Sequence, residues 1–190
     1  ATGAANAGMT LLDRALSEEH RDVLDRADAF VEETLAPRTE EIERTREFPR
    51  DVVEAAGDAG LLGILVPEAY GGLGGDFLSY CLALERIAEE SGAVAETIQG
   101  HTFATLPVLN FGTDAQRERL LPAMVAGESV GAMLLTEPGA GSSPTELGTV
   151  AEATDDGYRI SGQKSFGTNA GVADVHLVVA RKRPQPDDSH

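Results

Sequence analysis

The sequence predicts an α+β fold, an all-α helical domain followed by the first strands of a β domain. Apolar residues recur at three- and four-residue spacing from Ser17 to about Gly127. Past Ser129 that period gives way to short β-type runs, and Asp155-Asp156-Gly157 and Gly162 separate them as turn signals. The expected division is an N-terminal extension over 1–16, a helical domain over 17–129 and a partial β domain over 130–190.

The first helix begins at Ser17, a good N-cap, with Glu18 and Glu19 placed well for the helix dipole. Val23, Leu24, Ala27, Phe30, Val31 and Leu35 follow on one face, and Pro37 either ends or kinks the helix. A second helix starts after Pro49, buries Val52, Val53, Ala56 and Ala59, and stops at Gly60. A third, from about Phe77 to Ser91, places Phe77, Tyr80, Cys81, Leu84, Ile87 and Ala88 on one side. Ala93 to about Asn110 is so apolar that it is expected to be buried on most faces, and His101 within it reads as a core or pocket residue. Asp114 opens a short helix through Arg117, Leu120, Leu121 and Met124, which Gly127 closes. The β-type runs are Val130 to Leu135, Thr149 to Ala153, Tyr158 to Ser161 and Val175 to Ala180, and Arg181 to His190 reads as an exposed tail.

Composition narrows the function. The chain has 190 residues, 42% apolar and 25% charged, and no apolar run approaches the roughly 20 residues of a membrane span. Ala1 to Gly8 has neither the basic start nor the apolar centre of a secretory signal and reads as tag or processed sequence, with Met9 as the natural start. An intracellular, cytoplasmic protein is therefore expected. Acidic residues number 32 against 15 basic ones, for a net charge of −17, which argues against nucleic acid as a partner. Only Lys164 and Lys182 are lysines; high-salt adaptation and a GC-rich genome both account for such a surface. Cys81, the only cysteine, forms no internal disulfide and is expected as a buried core thiol. No zinc-type Cys/His spacing is present, so no metal site is expected.

Two segments carry the chemistry: Leu134 to Ser143, which reads LLTEPGAGSS, and Gly162 to Asn169, which reads GQKSFGTN. Gly139 and Gly141 after Pro138 allow backbone angles that other residues avoid, so the chain can pass close to a flat ligand with its N–H groups facing it. Thr136 and Ser142 add hydroxyls, and Phe166 offers an apolar face. Either segment alone is equally well an ordinary strand-ending turn with a core aromatic; the two in order argue for a ligand.

Together they resemble the flavin-binding signature of the acyl-CoA dehydrogenase family. GLLGILVPEAYGGLGG (60–75) and the stretch from HTFATLPVL through FGTDAQRERLLPAMVAGE (101–128) also match that family's pattern, so the resemblance spans Leu16 to Ala180. It implies FAD as cofactor, its isoalloxazine ring held by Met133, Leu135, Thr136, Gly141, Ser142, Phe166 and Thr168. Many members carry Trp in place of Phe166; in the family the Thr that matches Thr168 hydrogen-bonds near flavin N5. Substrate contacts are implied at Ser142, Gln99 and Thr102, the helix around the last two lining the acyl pocket. Glu137 is expected to pin its turn by accepting backbone hydrogen bonds rather than to act as a base.

The implied reaction is α,β-dehydrogenation of an acyl thioester in fatty acid metabolism, with electrons passing to an electron-transferring flavoprotein. Members are about twice as long, continuing through a barrel-like middle β domain into a C-terminal four-helix bundle that is absent from this sequence. That half carries the catalytic glutamate, which must lie within about 3 Å of the α proton, the remaining FAD contacts and the assembly surface of homo- or hetero-oligomers. No catalytic residue is therefore assigned in this chain. Ser143 stands where the family usually has Asp, which leaves open whether the carrier is CoA or an acyl carrier protein. A fragment or split subunit of the enzyme, a non-catalytic acyl-thioester-binding homologue and a purely structural homologue are the three readings; the presence of both flavin segments favours the first.

Overall fold

The computed structural model describes residues 15–143 and 146–183. The expected extension up to Arg14, Met9 included, and the tail from Pro184 lie outside the described residues. The chain forms two compact units, one of residues 1–95 with 125–127, the other of residues 96–124 with 128–190.

In the first unit, helix α1 (Glu18–Phe30) starts as expected at Ser17. The Ser17 hydroxyl accepts from the His20 backbone N–H at 3.2 Å, and His20 Nδ1 accepts from the Ser17 N–H at 3.1 Å, so histidine takes the place usually held by Glu in a capping box. Pro37 does not end the helical run. A π-helical turn (Val31–Leu35) precedes it and α2 (Ala36–Thr45) carries it in the first turn, where no N–H is required. Helix α3 (Arg50–Asp58) buries Val52, Val53 and Ala56, and two short 3₁₀ turns (Leu61–Gly63, Glu68–Tyr70) cross the glycine-rich loop.

Helix α4 (Phe77–Glu90) is capped by Asp76, whose carboxylate accepts from the Ser79 N–H at 2.8 Å and meets His20 Nε2 at 3.0 Å. The Ser79 N–H, then His20, hold the Asp76 carboxyl down at about 2. The buried face of α4 is Ser79, Tyr80, Leu82, Ala83 and Ile87, and Cys81 is exposed. The expected core thiol is thus a surface thiol, and Phe77, 66% exposed, also faces outward. Apolar residues occupy nearly the whole circumference of the first two turns, so spacing did not single out a face; Arg86 of the helix pairs with Asp28 of α1.

In the second unit, α5 (Gly92–Phe111), whose first residues lie in the other unit, contributes Ile98, His101, Ala104, Thr105 and Val108 to the core, and α6 (Asp114–Val125) contributes Leu121 and Met124. Strand β1 (Gly131–Leu134) pairs in parallel with β4 (Val175–Val178), Gly131 opposite Val175. Strands β2 (Val150–Thr154) and β3 (Gly157–Ser161) form an antiparallel hairpin joined at the expected turn signal, with Asp155 and Asp156 in the turn and Gly157 already paired with Thr154. The expected tail begins instead as a strand: β5 (Arg181–Lys182) pairs in parallel with Val150 and Ala151. Among the described residues no helix is long and apolar enough to cross a membrane.

Candidate functional site

A cleft of about 230 Å³ opens in the second unit between two turns of α5 and the two signature segments. Its walls are Glu96, Gly100 and Phe103 from α5, Met133, Leu135 and Thr136 at and beyond the end of β1, and Phe166 and Thr168. Five of the residues singled out for the cofactor, Met133, Leu135, Thr136, Phe166 and Thr168, thus come together. Gly141 and Ser142 are exposed and do not line the cleft. Of the substrate candidates, Gln99 is half-buried outside the lining, and Thr102 is buried with its hydroxyl donating to the Ile98 carbonyl at 3.0 Å.

The turn after β1 is held by Glu137. Its backbone exchanges two hydrogen bonds with Ala140, at 3.0 and 3.1 Å. Its buried carboxylate accepts from the Thr149 N–H at 2.9 Å, from the Gly148 N–H, and from Lys164 Nζ at 2.8 Å. Lys164 also donates to the Leu135 carbonyl at 2.9 Å, and the Ser165 N–H donates to the Thr136 carbonyl at 2.9 Å. The two signature segments are therefore bonded to each other through Lys164. Lys164 above all, with the Thr149 and Gly148 donors, holds the Glu137 carboxyl down at about 2, as suits a permanently ionised structural anchor. The conformational argument for Gly139 and Gly141 does not hold: neither adopts a positive φ, and a Cβ on either would meet open space.

The unusual backbone lies in the second segment. Phe166 has φ 56° and is 93% exposed. A bulky residue in the left-handed region is strained, by roughly 1 kcal/mol or more, and such strain clusters at functional sites. The reading of Phe166 as a core aromatic is thereby excluded. Asn169, φ 66°, donates from Nδ2 to the Thr97 carbonyl at 2.9 Å and the Gly131 carbonyl at 3.2 Å. Thr168 donates to Glu96 Oε1 at 2.9 Å. Gly100 lets this strap lie against α5, since a Cβ there would come within 2.7 Å of Thr168 Cγ2.

Sequence reasoning missed Glu96 and Gly100, and named Phe103 only as part of the stretch implied to line the acyl pocket. The signal for the first two was present: one carboxylate and one glycine, four residues apart, on an otherwise apolar helix face. His101 lies on the other side of that helix, fully buried, its Nδ1 accepting from the Gly131 N–H at 3.1 Å. It takes no part in the cleft.

Family models for the acyl-CoA dehydrogenase N-terminal domain and middle domain match residues 17–128 and 132–190. An acyl-CoA dehydrogenase of Bacillus subtilis (strain 168) is 40% identical over 156 residues, covering 82% of this chain and 41% of that protein. The butyryl-CoA dehydrogenase structure from Megasphaera elsdenii superposes with TM-score 0.80 at 37% identity, over 87% of this chain and 44% of that one. The structure of an acyl-CoA dehydrogenase complexed with FAD from Bacillus anthracis gives TM-score 0.81 at 34% identity, over 92% and 30%. The chain thus spans less than half the length of these relatives. With both domain models matched in order and the two signature segments bonded into one cleft, the chain belongs to the acyl-CoA dehydrogenase family.

Proposed function

We propose that this chain forms the flavin-facing and acyl-facing part of an FAD-dependent acyl-thioester α,β-dehydrogenase, an oxidoreductase acting on a CH–CH bond. The observation that carries the reading is the convergence of Met133, Leu135, Thr136, Phe166 and Thr168 on one cleft, with Phe166 strained and exposed at its mouth. An exposed aromatic held in a costly conformation is explained by a ligand face it covers.

The donor set fits the flavin ring. Met133, Leu135, Phe103 and Phe166 give apolar walls, and Thr136 has a hydroxyl with no partner among the described residues. Drug-sized pockets run from about 300 Å³ upward, so a cleft of about 230 Å³ suits one flat ring rather than a whole dinucleotide. In this reading FAD, when bound, supplies the hydride acceptor for the substrate β carbon. Thr136 and Thr168 orient the ring edge, Phe166 shields one face from water, and Glu137 with Lys164 keeps both segments in register. A preorganised donor such as the Thr136 hydroxyl stabilises negative charge that develops on a cofactor without reorganising. The α-proton base, the remaining FAD contacts and the assembly surface are supplied outside this chain. The reading extends to Gly141, Ser142, Gln99 and Thr102 as contacts made in the assembled site, to an electron-transferring flavoprotein as electron acceptor, to an oligomer, to CoA or acyl carrier protein thioesters as substrates, and to a cytoplasmic location.

The test is anaerobic titration of the assembled flavoprotein, the base-bearing part included, with acyl-CoA thioesters of graded length. Bleaching of the flavin band at about 450 nm with one-to-one stoichiometry is expected. A flavin-bearing protein that no acyl thioester bleaches would leave the non-catalytic reading in its place.

A further inference from the structure

The Thr168 hydroxyl has one proton, and the structure commits it. Its Oγ1 donates to Glu96 Oε1 at 2.9 Å, since an ionised carboxylate only accepts. What Thr168 can then offer the cleft is lone pairs. Three contacts from one turn of α5 fix this: Glu96 takes the proton, the Thr97 carbonyl takes Asn169 Nδ2, and Gly100 leaves room for the Thr168 methyl. Glu96 itself lines the same cleft.

We propose that Glu96 is a positioning residue that sets the hydrogen-bond polarity of Thr168, presenting it to the cofactor as an acceptor. The proposal rests on the flavin reading above and deepens it. Oxidised flavin N5 carries a lone pair, whereas the reduced ring carries N5–H, a donor; an acceptor at Thr168 matches the reduced ring. Glu96 thereby raises the flavin midpoint potential through Thr168. Its charge, felt directly, acts in the opposite direction, because negative charge beside the ring disfavours electron uptake. The sign of the change on substitution therefore separates the two.

The experiment is spectroelectrochemical titration of the flavin-loaded holoenzyme. In Glu96→Leu the Thr168 proton is released to the oxidised ring, and the oxidised-to-reduced equilibrium is expected to shift about tenfold toward oxidised, one good hydrogen bond's worth. For a two-electron couple that is a fall of about 30 mV. Glu96→Gln removes the same charge but keeps an amide oxygen to accept from Thr168, so its midpoint is expected at or above the wild-type value and above that of Glu96→Leu. In a Thr168→Val background Glu96→Leu is expected to cause no fall, since only the direct effect of the lost charge, which raises the midpoint, remains. A rise or no change in Glu96→Leu, or a fall that persists without Thr168, would overturn the proposal while leaving the flavin reading intact. Absence of flavin from the wild-type protein, read from the same spectra, would remove both. Glu96 is exposed, so neither substitution removes core packing.

Discussion

His101 makes the stability of this chain pH-dependent in a window of its own. The ring is fully buried and Nδ1 accepts from the Gly131 N–H at 3.1 Å, so the neutral tautomer carries its proton on Nε2. Nε2 finds no hydrogen-bond partner among the described residues. Burial pushes the imidazole down from 6.5 to about 4; the nearby Met124 carbonyl, too poorly placed to satisfy Nε2, pulls weakly the other way. As the pH falls the unfolded chain takes up the proton first. Stability is thus full above about 6.5, declines between 6.5 and about 4, and is flat for this group below. The whole window is worth about 3 kcal/mol, and about 2 kcal/mol of it is lost between pH 7.5 and 5. Glu137 and Asp76, held at about 2, add their own losses only once the pH drops below the ordinary carboxylate range near 4.5 and 3.8. Urea unfolding at pH 7.5 and 5 measures the difference. His101→Asn keeps an acceptor for the Gly131 N–H but cannot protonate, so its loss between the two pH values is expected to be about 2 kcal/mol smaller than that of wild type. Equal losses in the two proteins would refute the assignment.

The same geometry fixes other outcomes. Phe166→Gly relieves the positive φ and removes no buried surface, so the free protein is expected to gain about 1 kcal/mol in urea unfolding, while flavin affinity falls tenfold or more in a fluorescence titration. Asn169→Ala loses two hydrogen bonds and keeps an unfavourable φ, a cost of about 2–3 kcal/mol; Asn169→Gly, which escapes the φ penalty, is expected to lose about 1 kcal/mol less. Gly100→Ala forces a Cβ within 2.7 Å of Thr168 Cγ2, and although alanine favours helix by about 1 kcal/mol, flavin binding is expected to weaken at unchanged helix content by circular dichroism. Lys164→Met strands the Glu137 carboxylate, so a lower melting temperature and a Glu137 titration shifted toward ordinary values are expected by carbon-detected NMR.

Much of the fold was legible because local chemistry and period agreed. Ser17, Gly60, Asp114 and Gly127 mark helix ends where the structure has them, and Asp155 and Asp156 turn the β2–β3 hairpin. What the sequence left unread depends on contacts distant along the chain. The buried face of α4, Ser79, Tyr80, Leu82, Ala83 and Ile87, is one of several that its apolar residues could offer, so its own spacing did not announce that Cys81 would be on the surface. Pro37 was absorbed by a π turn that no residue pattern announces. Of the site, five of the residues singled out for a ligand converge on one cleft, and Glu137 proved the anchor that its place in the turn suggested; these were legible. The roles of Lys164, Glu96 and Gly100 were not: the spacing of Glu96 and Gly100 on α5 marks them, but what they do depends on Thr168, seventy-two residues beyond Glu96, being laid against them.

The central claim is that the cleft between α5 and the two signature segments holds the flavin ring. A crystal structure of the protein grown with FAD tests it most directly. The isoalloxazine is expected against Phe166, with Thr136 and Thr168 at its polar edge. A ring bound elsewhere on the chain, or a cleft that stays empty while Phe166 keeps its strained conformation, would contradict it.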